Sequence, residues 1–208
     1  MVWKSKGDGG KRGFDFEYDA ANRILKADFS QFTSGSFNQS AGINFNMQMG
    51  DGNNPYSAYD ANGNILQMQQ WGFRLASSTQ IDYNRYTYES SSNKLKMVVD
   101  FNNDPQTKMG DFRTALTHNQ YAAKSALTPT SPAPAFEAIT DYQYDANGNL
   151  ITDHNKDIAS ITYNHLNLPL QITINGKGTI TYTYDAAGNK LRKTTVDNTA
   201  NPTKTTTT

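Results

Sequence analysis

The sequence predicts an all-β protein made of successive antiparallel β-hairpins that form one long, twisted, curling sheet. The main observation is a six-residue motif, Tyr-Asp-Ala-Asn-Gly-Asn, which begins at Tyr59 and Tyr144 and recurs with one change at Tyr184. Around the motif, apolar and polar residues alternate, a pattern typical of half-buried strands. The aromatic content is 12%, with 12 Tyr and 10 Phe, and aromatic residues favour strands.

Six copies of the motif align on their tyrosines, three of them degenerate. The tyrosines are Tyr18, Tyr59, Tyr88, Tyr144, Tyr163 and Tyr184. Seven positions later each copy has an apolar residue: Leu25, Leu66, Leu95, Ile151, Leu170 and Leu191. Because side chains alternate between the faces of a strand, we interpret these two sets as a repeat core. We expect three pairs, Tyr59 with Leu66, Tyr144 with Ile151 and Tyr184 with Leu191, to be largely buried on the inner face. The neighbouring Gln143 and Thr183, on the opposite face of the strand, should be more exposed to solvent than the tyrosines.

The residues after each tyrosine predict a tight turn. The first is aspartate in four copies: Asp19, Asp60, Asp145 and Asp185. An aspartate that opens a turn can accept hydrogen bonds from backbone N–H groups further along. Four positions after the tyrosines come Asn22, Gly63, Ser92, Gly148, Asn167 and Gly188. A hairpin built from a type I turn and a bulge needs positive φ there, so we expect Gly63, Gly148 and Gly188 to be left-handed.

These motifs resemble the tyrosine–aspartate (YD) repeats of the bacterial rearrangement-hotspot (Rhs) proteins, which also occur in teneurins and insecticidal toxin complexes. The likeness covers most of residues 14–195 and is clearest over 142–193. Residues 161–169 are similar to the form found in Bacteroidetes members. The resemblance implies that the sheet is part of a shell-like β-spiral. It also implies that the chain is an interior fragment of a longer polypeptide, secreted or at the cell surface.

The pattern divides the chain into five segments. Residues 1–13 are predicted as an N-terminal loop, 14–101 as a YD-repeat block with insertions, 102–138 as a diverged segment with a Pro-rich linker, 139–195 as a regular YD-repeat block and 196–208 as a Thr-rich tail. Within the first block, residues 30–42 and 71–78 are interpreted as connections and 43–49 as a strand. Residues 112–127 have weak helical spacing, with Asp111 as a candidate cap. The tail is either disordered or the start of a strand whose partner is missing.

Composition excludes several classes of function. Lys plus Arg and Asp plus Glu number 19 each, so the chain has no general attraction for nucleic acid or anionic lipid. Cysteine is absent, which excludes disulfide and thiolate chemistry. No apolar run approaches the ~20 residues of a membrane span. Residues 1–7 lack the apolar core of a signal peptide.

No catalytic residue, metal site or cofactor is predicted. An EF-hand calcium loop needs Gly at position 6 and Glu at position 12. Counted from Asp145, the glycine is at position 4 and position 12 is Lys156, which favours a structural turn. The three histidines lack metal-ligand spacing, and His154 and His165 are expected at the surface. The sequence leaves open a catalytic pair of carboxylates that are distant in sequence but close in space, as in glycosidases.

We interpret the chain as a non-enzymatic structural scaffold. By resemblance, full-length relatives encapsulate a C-terminal toxin or act in contact between cells, so the implied partners are the rest of a longer polypeptide and an enclosed toxin. The aspartates that release the toxin in the family are not in this chain, so self-cleavage is not implied. One alternative is a carbohydrate-binding or adhesive surface module, because tyrosine rings can stack on cell-surface glycans. Another is a hydrolase within residues 101–138.

Overall fold

The computed structural model of the chain describes residues 1–74, 77–102 and 112–208, and these are mostly antiparallel β-structure. The predicted all-β class is confirmed. The chain forms two compact units: Met1–Asn93 with Val98–Arg113, and Lys94–Met97 with Thr114–Thr208. The strands lie in two sheets, whereas the sequence predicts one, because helical residues occupy the stretch between the two repeat blocks.

The first sheet has eight strands within the described residues. They are β1 Val2–Lys4, β2 Lys11–Tyr18, β3 Ile24–Thr33, β4 Ser36–Asn38, β5 Met47–Met49, β6 Gln67–Arg74, β7 Ser77–Tyr88 and β8 Leu95–Asp100. The order is β1-β2-β3-β5-β6-β7-β8, with β4 paired to β3. A short helix, α1 Pro55–Ala58, follows β5. The side chain of Asn54 caps α1 by accepting a hydrogen bond from the Tyr56 N–H, and Pro55 suits the first helical position.

The second sheet is a meander in which each strand pairs with the next. Its seven strands, counted over the described residues, are β9 Tyr142–Tyr144, β10 Leu150–Asp153, β11 Ile158–Tyr163, β12 Pro169–Ile174, β13 Gly178–Tyr184, β14 Lys190–Asp197 and β15 Lys204–Thr207. Two helices precede it, α2 Tyr121–Ser125 and α3 Ala133–Glu137, and a 3-10 turn covers His154–Lys156. Register shifts of the bulge type occur beside Tyr18, Tyr163 and Tyr184, as the turn chemistry predicts.

Each unit has its own buried residues. In the first unit, Leu25, Met49, Ala58 and Tyr59 form one cluster. In the second unit, buried apolar residues include Met97, Phe136, Ile139 and Ile161.

The repeat core is less buried than predicted. Of the three pairs expected to be buried, Tyr59 is buried and Leu191 is 64% exposed; the other four residues, Leu66, Tyr144, Ile151 and Tyr184, are half-buried. Among the remaining copies, Leu25 is buried, whereas Tyr18 is 56% exposed and Leu170 38%. The expected burial of Leu191 with Tyr184 is therefore wrong. The side chains on one face of a sheet are buried only where another element covers that face. In the second unit, the buried residues are concentrated around the segment that carries α2 and α3.

Several predicted loops are strands or helices. Residues 1–13 contain β1 paired to β2, with Val2 opposite Gly13. Residues 30–42 contain the β3–β4 hairpin, and most of 71–78 belongs to β6 and β7. The polar residues of these segments do not show the alternation that predicts a strand. Hydrogen bonds between backbones, not burial of side chains, stabilise these strands.

The Pro-rich stretch is not wholly extended, since α3 begins at Ala133 with a proline in its first turn, where helices tolerate it. The partner of the Thr-rich tail is present: β15 pairs with β14. The candidate cap Asp111 lies outside the described residues. None of the described helices is long and apolar enough to cross a membrane.

Candidate functional site

The Asp145 turn shows how each repeat is closed. Oδ1 of Asp145 accepts hydrogen bonds from the backbone N–H groups of Asn147 and Asn149, at 2.9 and 2.8 Å. Oδ2 accepts from Nδ2 of Asn149 at 2.9 Å. The side-chain hydrogen bond from Asn149 is the main reason that the pKa of Asp145 lies below its usual value. The carboxylate therefore acts as a fixed acceptor within its own turn.

The same turn recurs with nearly the same distances. Asp60 and Asp185 accept from backbone and side chain of Asn64 and Asn189 at 2.8 Å. In the degenerate copies Asp19 accepts from Arg23, and Asn164 accepts from the backbone of Leu168. The φ values of Gly63, Gly148 and Gly188 are +85°, +86° and +85°. In the third copy the left-handed residue is Ser91, one position earlier than the alignment with Ser92 predicts.

The carboxylate oxygens of these turns are not free to bind a cation as the oxygen ligands of a calcium loop are. Both oxygens of Asp145 already accept N–H hydrogen bonds, so a cation would have to displace them. Over the part of the chain that the structure describes, no three His, Cys, Asp or Glu side chains cluster as metal ligands do.

The repeat tyrosines connect neighbouring copies. After the first copy, each tyrosine hydroxyl donates to a backbone carbonyl of the preceding copy, next to or at the apolar residue that follows the turn. The pairs are Tyr59 to Ile24, Tyr88 to Ile65, Tyr144 to Leu95, Tyr163 to Leu150 and Tyr184 to Pro169, at 2.6–2.9 Å. We call this series the tyrosine ladder. Burial raises the pKa of Tyr59, Tyr88 and Tyr163. Since an ordinary tyrosine hydroxyl, with a pKa of about 10, is already protonated at neutral pH, these groups are donors there.

The turns also contact one another directly. In the first unit, Oδ1 of Asn93 accepts from Nδ2 of both Asn62 and Asn64 at 3.0 and 2.8 Å. In the second unit, Oδ1 of Asn167 accepts in the same way from Asn147 and Asn149. These bridges join turns that are about thirty and twenty residues apart in sequence. The motif asparagines thus stabilise the stack of turns as well as single turns.

A second arrangement, which the sequence did not predict, lies in the second unit. Asp141 is fully buried and pairs with two side chains: its Oδ1 is 2.9 Å from Nε2 of His118, and its Oδ2 accepts from Nζ of Lys124 at 2.7 Å. Lys124 also donates to Oδ1 of Asn155 at 2.6 Å. These four residues are the buried polar cluster. It ties the segment containing α2 to the hairpin of β9 and β10.

The tautomer of His118 follows from its two partners. The backbone N–H of Gln120 points to Nδ1 of His118 at 2.9 Å, and an N–H can only donate. Nδ1 is therefore the acceptor, and the ring proton lies on Nε2, facing Asp141. Burial lowers the pKa of His118, and the nearby Lys124 and His154 act in the same direction, although Asp141 opposes them. His118 is thus neutral, and its ring contacts that of His154 at 5.3 Å.

The comparison with known families bears on both arrangements. Residues 103–202 match the family model described as Teneurin YD-shell. The matched stretch includes the buried polar cluster and two complete rungs of the tyrosine ladder, Tyr163 to Leu150 and Tyr184 to Pro169. The match supports a YD-repeat, Rhs-like family and a structural shell role within a larger protein. The chain matches no curated protein.

Sequence reasoning located the YD-repeat turns but missed the buried polar cluster. His118 and Lys124 precede the regular repeats, and Asp141 comes just before the Tyr144 copy, so no spacing links them. His154, expected at the surface, is half-buried against His118. The available signal was a lysine, Lys124, among the apolar and alanine residues of 121–127, and this lysine is buried in the structure.

Because His118 is buried and neutral, we expect the stability of the second unit to depend on pH. Burial lowers the pKa of His118 in the folded state, while the pKa of a histidine in the unfolded chain is about 6.5. Below that pH the unfolded chain binds more protons, so the free energy of unfolding should fall as pH falls, by at most about 1.4 kcal/mol per pH unit for one proton. Urea unfolding between pH 7.5 and 5.5 measures this slope.

The matched comparison is His165→Gln, which alters an exposed histidine. We expect this variant to keep the wild-type slope and His118→Gln to flatten it. NMR titration of the ring protons gives the pKa of His118 directly. Titration of His118 in the ordinary histidine range would contradict this prediction.

Proposed function

We propose that this chain is a non-enzymatic wall segment of a longer YD-repeat polypeptide, secreted or exposed at the cell surface, of the Bacteroidetes type. In this proposal the complete polypeptide encloses a C-terminal toxin or acts in contact between cells. The single observation that carries it is the tyrosine ladder, in which each repeat is hydrogen-bonded to the one before it. Such a ladder makes neighbouring repeats mechanically dependent on each other.

The partners of the polar groups also support a structural role. Both carboxylate oxygens of Asp60, Asp145 and Asp185 accept hydrogen bonds from N–H donors of their own turns. The cluster around Asp141 contains residue types that also occur in catalytic sites, but the side chains of His118, Lys124 and Asp141 are at most 3% exposed. A substrate cannot reach these groups, whereas a buried, paired network fixes the packing of a segment.

The repeat tyrosines do not favour the carbohydrate-binding alternative. Stacking on a sugar needs an exposed ring face. Of the six, Tyr18 is exposed, while Tyr59 is buried and the others are half-buried. The hydroxyls of the five tyrosines after Tyr18 already donate hydrogen bonds in the ladder. These positions therefore support packing between repeats.

The tyrosine ladder can be tested with single-atom changes. Tyr163→Phe removes the hydroxyl that donates to Leu150 at 2.6 Å, and should lower the free energy of unfolding by about 1 kcal/mol. Tyr56→Phe is the control, because Tyr56 is 83% exposed and belongs to no repeat. Replacing Tyr144, Tyr163 and Tyr184 together should cost roughly the sum of the three. A triple variant as stable as the wild type would contradict the ladder.

The enclosing role needs the complete polypeptide that contains this sequence. We expect its passenger segment to resist protease until the YD-repeat region unfolds, and the triple Tyr→Phe variant to shorten that protection. A passenger cut at the same rate with and without the repeats would refute enclosure. It would leave the structural role of the ladder unaffected.

A further inference from the structure

A cleft at one end of the first sheet combines positive charge with exposed aromatic rings. It is lined by Val2, Trp3, Lys4, Lys11, Phe32 and Phe37 and has a volume of about 370 Å³. These residues come from β1, β2 and the β3–β4 hairpin. The volume lies within the range of about 300–1,000 Å³ that is usual for small-molecule sites.

The positions of the two lysines in the cleft do not stabilise the fold. Lys4 and Lys11 lie directly opposite each other on β1 and β2, and like charges in that position are destabilising. Within the described part of the chain, no carboxylate makes a salt bridge with either ammonium group. Both ammonium groups are therefore available to an anion.

The aromatic residues form a surface beside this charge. Phe32 and Phe37 face each other across the β3–β4 hairpin, with ring centroids 5.3 Å apart and planes at 71°. Each ring is 39% exposed. Nζ of Lys11 lies 5.0 Å from the centroid of the Phe32 ring, which holds the ammonium group close to the apolar surface.

We propose that this cleft binds an acidic carbohydrate, a sugar unit that carries a carboxylate such as a uronic acid. Because Lys11 already lies over the Phe32 ring, the exposed face of Phe37 would stack on the apolar face of the sugar ring. The carboxylate would pair with Lys4 and Lys11 in charge-assisted hydrogen bonds. Two ammonium groups in a chain of zero net charge fit a single carboxylate better than an extended polyphosphate, which needs a broad basic surface.

The test uses the full chain and two probes with the same ring skeleton. Tetragalacturonic acid carries the carboxylates, and its methyl ester is neutral. Isothermal titration calorimetry should detect binding of the acid and at least tenfold weaker binding of the ester. Lys11→Gln and Lys4→Gln should each weaken acid binding at least tenfold. Lys204→Gln, an exposed lysine on β15, is the matched control and should leave binding unchanged.

A second set of variants separates a built site from general electrostatic attraction. Phe37→Ala and the volume-retaining Phe37→Leu keep both lysines, and each should weaken acid binding at least fivefold through loss of ring stacking, with folding checked by circular dichroism. Unchanged binding in both Phe37 variants would overturn the proposal. So would equal binding of acid and ester, no binding of either, or equal binding of a tetraglutamate peptide. None of these results bears on the tyrosine ladder.

Discussion

Replacing Asp141 with alanine will lower the free energy of unfolding of the second unit by about 3–5 kcal/mol, the usual cost of breaking a buried ion pair from one side. The substitution leaves the ammonium group of Lys124 buried without its carboxylate partner at 2.7 Å. It also removes the acceptor that faces Nε2 of His118. Burial already lowers the pKa of Lys124 despite the attraction of Asp141, so the loss should lower it further.

Urea denaturation at pH 7.5 measures the effect, with Lys177→Ala as the control. Lys177 pairs with Asp157 at a similar distance, 2.8 Å, but its side chain is 56% exposed. Removal of that exposed pair should cost under about 1 kcal/mol. Asp141→Asn retains the shape of the side chain and separates loss of charge from loss of volume. A change below about 1 kcal/mol in Asp141→Ala would show that the buried polar cluster does not stabilise the unit.

Replacing Gly178 with alanine should destabilise the second unit by about 3 kcal/mol or more. The φ of Gly178 is +132°, a conformation that costs other residues about 1–3 kcal/mol. A Cβ atom there would lie 1.9 Å from the carbonyl oxygen of Val196 on β14. That oxygen is backbone in a paired strand, so overpacking adds about 1–3 kcal/mol. Thermal or urea unfolding measures the loss.

Gly176 is a control two residues away in the same turn. Its φ is +66°, but a Cβ atom would have nothing within 4 Å. Gly176→Ala should therefore cost only the left-handed strain of about 1–2 kcal/mol. Equal losses at the two positions would mean that the contact with Val196 contributes nothing and that backbone strain alone explains the effect.

The YD-repeat turns were predictable because each is closed within four residues. Asp145 bonds to Asn147 and Asn149, so its partners can be found by reading the motif. The degenerate third copy shows the limit of this approach. Without a glycine to fix the left-handed position, the structure places it at Ser91, not Ser92.

Burial of the repeat core was less predictable because it depends on which elements cover each face. Leu25 and Leu191 occupy the same position of the motif, yet one is buried and the other is 64% exposed. Alternation along a strand assigns both to one face. It carries no information about whether that face is covered.

The sequence alone determined the hairpin repeat, its turns and the all-β class, because these depend on interactions between residues a few positions apart. The tertiary structure decided the contacts between distant residues. Lys124 and Asn155, 31 residues apart, meet in a buried network, and Lys4, Lys11 and Phe32 meet in one cleft. Such contacts depend on how strands and helices pack, and no local periodicity encodes that packing.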